Sequence, residues 1–213
     1  MKAAILTAVY DNYDPLKDIA PQPLEVERIC VTDNPHLVSH SWKVIYDPRP
    51  GVHPNRAAKR PKMCPWLYTD ADVSIWIDAS FKVLSTDFVE QVLAYLPLGQ
   101  FLHWDRQCIY KEGDYSIGLG KYSKEPIKEQ MADYLDRGHP QEWGLWATGL
   151  IVRAHTSKIR SFGEAWLAEN EKWSFQDQVS EPVVLREHGL RPQTIPGNYS
   201  QNPWLQYAGS SRH

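Results

Sequence analysis

Val73-Ser74-Ile75-Trp76-Ile77 runs directly into Asp78-Ala79-Ser80. A β-rich run of this length, closed by a carboxylate and two small residues, reads as a buried strand that ends at a ligand crevice. The small neighbours let a bulky anionic ligand approach Asp78. A carboxylate there can hold Mg²⁺ or Mn²⁺ together with ligand phosphates, because these hard cations take oxygen ligands and often need only one or two carboxylates. It can equally cap the next turn through backbone hydrogen bonds.

Upstream of this segment, Lys2–Val9, Glu27–Thr32 and Trp42–Tyr46 read as strands. Asp33-Asn34-Pro35 and Asp47-Pro48 are the turn signals that close the last two. Asn55–Tyr68 reads as helical, broken up by Pro61 and Pro65. Downstream, the apolar spacing of Phe88, Val92 and Leu96 predicts a helix over Asp87–Leu96, with Thr86 as its cap. Gln100–His103 is a short strand, Pro126–Arg137 an amphipathic helix, and Leu145–Arg153 a strand interrupted by Gly149. Thr156–Glu171 and Phe175–His188 are helices, and Gln193–Ile195 is a last strand before an irregular tail. Strands alternating with helices argue for an α/β fold with a mostly parallel central sheet flanked by helices. Ligands of such sheets sit at the carboxyl ends of strands. That directs attention to Thr7–Tyr10, Asp33, Asp78, His103 and the region after Arg153.

The chain has 213 residues, of which 42% are hydrophobic and 23% charged, which suits one globular domain over 1–213. Its three cysteines, Cys30, Cys64 and Cys108, form neither a disulfide framework nor a CxxC zinc pattern, and read as reduced thiols. The first apolar run is too short for a signal peptide, and Asp11, Asp14 and Asp18 follow it at once. No stretch approaches the roughly 18 apolar residues of a membrane span. The expectation is a cytoplasmic protein with no membrane partner. A net charge of −3 provides no general attraction to nucleic acid. The aromatic count is skewed: 9 Trp and 11 Tyr against 5 Phe. Rings with a polar handle stack on sugars or bases and also build cores.

Between Asp47 and Asp70 there is no acidic residue, while Arg49, Arg56, Lys59, Arg60 and Lys62 occur there. Arg56, Lys59 and Arg60 fall at i, i+3 and i+4 and share a face if helical. Such a face can clamp a diphosphate, Arg through a bidentate fork; it can also be a solvated surface or a nucleic-acid patch. His103, Asp105, Arg106 and Glu112 follow a short strand, where His103 can contact a substrate hydroxyl or phosphate, or serve the fold alone. Ser174 and Asp177 mimic a capping box. The functional reading instead turns Asp177 and Gln178 into the crevice to orient a sugar. His188 and His213 are further histidines near the C-terminal end that a metal could use.

In order along the chain, Arg60-Pro61-Lys62, Tyr68, Ser74–Ser80, His103, Arg106–Glu112, Gln130-Met131, Gly138-His139-Pro140 and Asp177–Ser180 resemble the glycosyltransferase-like domain family of the TOD/MUCI type. The resemblance extends from about Leu6 to about Trp204. It implies a compact GT-A (Rossmann-like) fold related to glycogenin-like retaining transferases, a nucleotide-sugar donor, most simply a UDP-sugar, and Mn²⁺ or Mg²⁺. By that resemblance Asp78 is the metal aspartate, with Ser80 where a second Asp is common. Asp177-Gln178 lies near the anomeric carbon. Thr7, Ala8 and Tyr10 cradle the base, Asp33 contacts base or ribose, and Arg60 and Lys62 face the diphosphate. The acceptor is open between a protein, a glycan, a small molecule and a modified DNA base. Trp104, Trp143, Trp146, Trp173 and Trp204 stand as candidates for its wall, with Trp76 and Trp166 as core. The irregular tail 196–213 is expected to fold over the site. Two other readings use the same residues: a non-catalytic carbohydrate- or nucleotide-binding module, and a glycoside hydrolase with Asp78 and Asp177 as an acid/base pair.

Overall fold

The computed structural model describes residues 1–209, so His213 lies outside the described residues. In chain order the elements are β1 (Ala3–Val9), β2 (Val26–Thr32), β3 (Lys43–Tyr46), α1 (Pro54–Ala57), α2 (Lys59–Met63), β4 (Val73–Ile77), β5 (Phe81–Val83) and α3 (Phe88–Leu93). They continue with β6 (Leu98–Leu102), α4 (Ile109–Ile117), α5 (Ile127–Asp136), β7 (Trp146–Ala154), α6 (Ser157–Lys172), α7 (Asp177–Glu187), β8 (Gln193–Ile195) and β9 (Leu205–Tyr207).

Seven strands form one sheet in the order β3-β2-β1-β4-β7-β6-β8. All neighbours run parallel except at β7, which is antiparallel to both β4 and β6. The fold is therefore the α/β, mostly parallel sheet that the alternation predicts. β4 is buried along its whole length, as expected of a strand covered on both faces. Alternate residues feed two cores. Ile5, Cys30 and Ile75 point to one face with Phe88 and Val92 of α3. Leu6, Ile29 and Trp76 point to the other, against Met63 of α2, Phe162 and Trp166 of α6 and Val184 of α7.

Several expectations are corrected. The predicted helix over 55–68 is α1, α2 and a 3₁₀ turn at Pro65–Leu67. The α1–α2 interruption arises because Pro61 has no N–H for the carbonyl of Ala57. The stretch after His103 holds the nine-residue helix α4, which the sequence reading passed over. Gly113 in its middle weakens helix propensity. It packs closely, since a Cβ there would stand 2.8 Å from the Met131 side chain of α5, which would have to shift. Thr86 caps nothing; Asp87 is the residue at the start of α3. The tail is not wholly irregular. β9 pairs antiparallel with β5, and Trp204 is buried in the core beneath the first sheet face. No helix among the described residues is long and apolar enough to cross a membrane.

The sheet has one irregularity that matters for function. Gln100 of β6 pairs with Ile151, but the next residue, Phe101, pairs with Ala147. Thr148, Gly149 and Leu150 are thereby passed over by β6, and the Gly149 carbonyl turns to accept from the Asp78 amide at 2.9 Å. Gly149 thus marks a bulge. A Cβ at Gly149 would lie 2.7 Å from the Phe81 ring and 3.4 Å from Asp78 Oδ2.

Candidate active site

A cavity of about 660 Å³ opens at the carboxyl ends of β1, β4 and β6, a volume in the usual range of ligand pockets. Its floor is built around a lysine. Lys62 is 3% exposed. Its Nζ lies 2.6 Å from Asp177 Oδ2, 3.2 Å from Asp78 Oδ1 and 3.2 Å from the Thr148 hydroxyl. Lys59 sits one helical turn earlier, and its Nζ reaches the same Asp177 oxygen at 2.8 Å. Thr148, in the bulge, donates to Asp177 Oδ1 at 3.1 Å. Trp76 adds its indole N–H to Asp78 Oδ1 at 2.7 Å. Burial acts to raise the Asp177 carboxyl, but Lys59 and Lys62 outweigh it and hold it far below the ordinary range. Burial likewise acts to lower Lys62; Asp177 and Asp78 reverse that, and the ammonium is held above its usual value.

The lysines are placed by a buried arginine. Arg153 of β7 is fully buried and donates to the carbonyls of Lys62 and Met63 at the end of α2. Gly163 of α6 lets α2 approach closely, since a Cβ there would stand 2.3 Å from the Met63 carbonyl oxygen.

A second polar group forms the wall beyond β7. Nδ1 of His103 accepts from the amides of Asp105 and Arg106 at 3.3 and 3.0 Å, so the proton is on Nε2. Glu112 accepts from Gln176 Nε2 at 2.9 Å and from Arg106 Nε. Burial, with Arg106 assisting, pushes His103 down to about 4, and burial pushes Glu112 up.

Of the residues singled out from the sequence, Ala8, Tyr10, Lys62, Asp78, Ser80, His103, Asp177 and Gln178 line this cavity. Three do not. Thr7 is buried beneath it. Asp33 accepts from the Asp11 amide and so holds the turn after β1. Arg60 is half-buried on α2, whose inward face belongs to Lys59 and Lys62. The expected face of Arg56, Lys59 and Arg60 is likewise divided, because Arg56 pairs with Glu125 at 2.5 Å and donates to the carbonyls of Asn170 and Trp173. The Ser174–Asp177 capping box is absent. The Ser174 hydroxyl donates to Gln130, and Gln176 takes the N-cap position. Of the five candidate tryptophans, Trp104 alone lines the cavity and is 60% exposed. Trp146 and Trp204 are core, and Trp143 and Trp173 pack against buried clusters. Tyr199 and Tyr207 of the tail reach the cavity wall. His188 is remote, bonded to the Val184 carbonyl. Lys59 and Glu112, read in the sequence as part of a possible diphosphate clamp and of the polar constellation after the short strand, also line the cavity, as does Thr148.

Among the described residues no group of three or more His, Cys, Asp or Glu side chains is placed to hold a metal ion. The described residues therefore offer no closed cage. They offer one half-exposed carboxylate, Asp78, which suits a cation that arrives with the phosphates of a ligand. Lys59, Lys62, Arg106 and Lys121 line the cavity together with Asp14, Asp78, Asp105, Glu112 and Asp177.

The sheet order, the crevice at its carboxyl edge and the cavity together define a glycosyltransferase-type fold. A structure of the bifunctional glycosyltransferase WbbM in its apo form has the same fold, with a TM-score of 0.50 at 12% identity, over 92% of this chain and 39% of that one. This chain thus spans well under half of WbbM. Residues 16–195 match the TOD1/MUCI70, glycosyltransferase-like domain family, and the chain belongs to it. No curated protein matches the sequence.

Proposed function

We propose that this protein transfers a sugar from a nucleoside-diphosphate donor, most simply a UDP-sugar, to a hydroxyl of an acceptor. The observation that carries this is the Lys59–Lys62 ammonium pair, anchored by Asp177 on the floor of a cavity at the carboxyl edge of the sheet. The base lies along Ala8–Tyr10, the diphosphate over Lys62 and Ser80, and the sugar towards Gln178. Mn²⁺ or Mg²⁺ held by Asp78 and the donor phosphates would supply charge against the departing diphosphate.

The bond between the anomeric carbon and the diphosphate oxygen breaks, and its electron pair stays on the diphosphate. Lys62 and Lys59, already oriented, stabilise that charge; such fixed electrostatics is commonly the largest catalytic contribution. The acceptor oxygen bonds to the anomeric carbon, and its proton passes to the departing phosphate oxygen. This front-side course retains configuration. Asp177 fixes both lysines and keeps its own charge, while Gln178, tied to the Trp146 carbonyl at 3.4 Å, borders the reacting carbon. Asp177 is held ionised, which disfavours it as the raised-pKa acid of a glycoside hydrolase. The exposed Trp104 at the rim offers a face for the acceptor.

The test is a panel of UDP-, GDP- and TDP-sugars with Mn²⁺, read by thermal shift and by release of nucleoside diphosphate. At least one donor should stabilise the protein and be turned over. Trp104→Ala should spare donor hydrolysis and lower transfer about tenfold. Binding of nucleotide sugars without turnover would replace this reading with a binding module; stabilisation by free sugars alone would remove the donor.

A further inference from the structure

The geometry points to His103 and Glu112 as a paired donor and acceptor that read one hydroxyl of the transferred sugar. The inference rests on the nucleotide-sugar reading above. Three observations support it.

The first is that the two groups face each other without satisfying each other. His103 Nε2 and Glu112 Oε2 are 3.8 Å apart, beyond hydrogen-bond distance, and both side chains are more than nine-tenths buried on the cavity wall. With Nδ1 occupied by two backbone amides, Nε2 presents a proton. Glu112 presents a lone pair. A hydroxyl is the group that both accepts and donates. Its oxygen, placed about 2.8 Å from each atom, sits at the apex of a triangle whose base is this separation.

The second is that the pair is rigid. Glu112 is held by Arg106, by Gln176 at 2.9 Å and by Ser116 at 3.5 Å. Arg106 in turn stacks 4.0 Å over the Tyr115 ring. His103 is fixed at the end of β6, with its own amide bonded to the Leu145 carbonyl. A site whose bonding groups cannot relax rejects a ligand that leaves them unpaired.

The third is position. Along the carboxyl edge the sheet runs β1, β4, β7, β6. The base cradle is on β1, the Lys62–Asp78 pair follows β4, Thr148 is on β7, and His103 ends β6. A donor laid from base through diphosphate brings its sugar, not its nucleotide, to His103 and Glu112.

The experiment measures binding of UDP, of UDP-glucose, UDP-galactose and UDP-N-acetylglucosamine, and of the single-deoxy analogues of whichever sugar binds tightest. It uses the parent protein, His103→Leu, His103→Gln and Glu112→Gln. His103→Gln keeps an N–H near the Nε2 position and serves as the conservative rescue. UDP affinity should stay within about twofold in all three variants. The parent should disfavour one deoxy position by at least 30-fold. His103→Leu and Glu112→Gln should reduce that discrimination below threefold, and His103→Gln should keep most of it. Unchanged discrimination at every ring position overturns the inference. So does an equal loss for UDP itself, which would place the pair on the nucleotide. If the parent protein binds no nucleotide sugar, the donor reading fails and takes this one with it; if it binds and the variants discriminate as before, only this one fails.

Discussion

Replacing Asp177 by Asn should destabilise the protein strongly, and by an amount that depends on pH in a diagnostic way. The carboxylate sits 2.8 Å from Lys59 and 2.6 Å from Lys62, with side-chain exposures of 14% and 4% for the lysines and 6% for itself. At these distances each contact has a Coulomb energy of about 6 kcal/mol for an effective dielectric near 20. Most of that is offset by the desolvation of the three groups. What remains on removing one member is the cost of leaving buried charge uncompensated, about 3–5 kcal/mol. With a urea dependence of about 2.5 kcal/mol per molar, the unfolding midpoint at pH 7 should fall by roughly 1.5 M. In the variant burial acts on Lys59 and Lys62 with Asp78 the remaining carboxylate to oppose it; Lys59, already lowered by burial in the parent, falls further, and Lys62 falls from its raised value. The unfolded chain then binds more protons, so variant stability rises with pH. The gap to the parent should therefore narrow steadily from pH 7 towards pH 10. Asp78→Asn is the control. That carboxylate is 39% exposed, and its loss should cost about 1 kcal/mol. A helix-capping role for Asp177 predicts instead a small cost of about 1 kcal/mol, independent of pH over this range. Urea titrations at pH 7, 8.5 and 10 decide between them. A midpoint within 0.3 M of the parent (about 0.75 kcal/mol by the same slope), or a deficit that does not shrink with pH, refutes the buried-counterion reasoning.

Two further outcomes follow from the packing and the titrating groups. Gly163→Ala gains roughly 1 kcal/mol of helix propensity but drives a Cβ against the Met63 carbonyl and the Trp66 ring, so calorimetry should show a net loss of about 1–2 kcal/mol, and donor affinity should fall because Lys62 precedes Met63. Stability should peak near pH 6.5. Burial holds His103, His139 and His155 down to about 4, so the unfolded chain takes up more protons below pH 6.5 and stability falls there. Burial holds Glu181 up to about 8, so stability also falls as pH rises towards 8. Thermal melts from pH 4 to 8 that change in one direction only would contradict this, and Glu181→Gln should remove the alkaline decline.

Much of the architecture is legible in the chain. Strand existence follows from apolar runs such as Val73–Ile77, because a strand buried on both faces needs no partner to declare itself. The carboxyl-edge rule then points to Asp78, Tyr10 and His103 before any side chain is placed. The helix α4 escapes because Gly113 is locally unfavourable, and the helix is held by packing against α5, including Met131, which lies outside it. The strand β9 escapes because its reason to exist is β5, more than a hundred residues upstream.

The site divides along the same line. Residue type and local spacing bring Lys59, Lys62, Asp78, Asp177 and Gln178 into view as a chemical repertoire. They do not say which cation meets which carboxylate. That is decided where α2, the β7 bulge and the start of α7 converge, with Arg153 and Gly163 fixing the approach. Only there does Lys62 become the bridge between Asp78 and Asp177, and only there do four of the five candidate tryptophans turn away into packing, leaving Trp104 at the rim. Periodicity and propensity act over a few residues and are written in the chain, whereas ion pairing and cavity walls depend on contacts between residues up to 118 positions apart, which exist only once the sheet has closed.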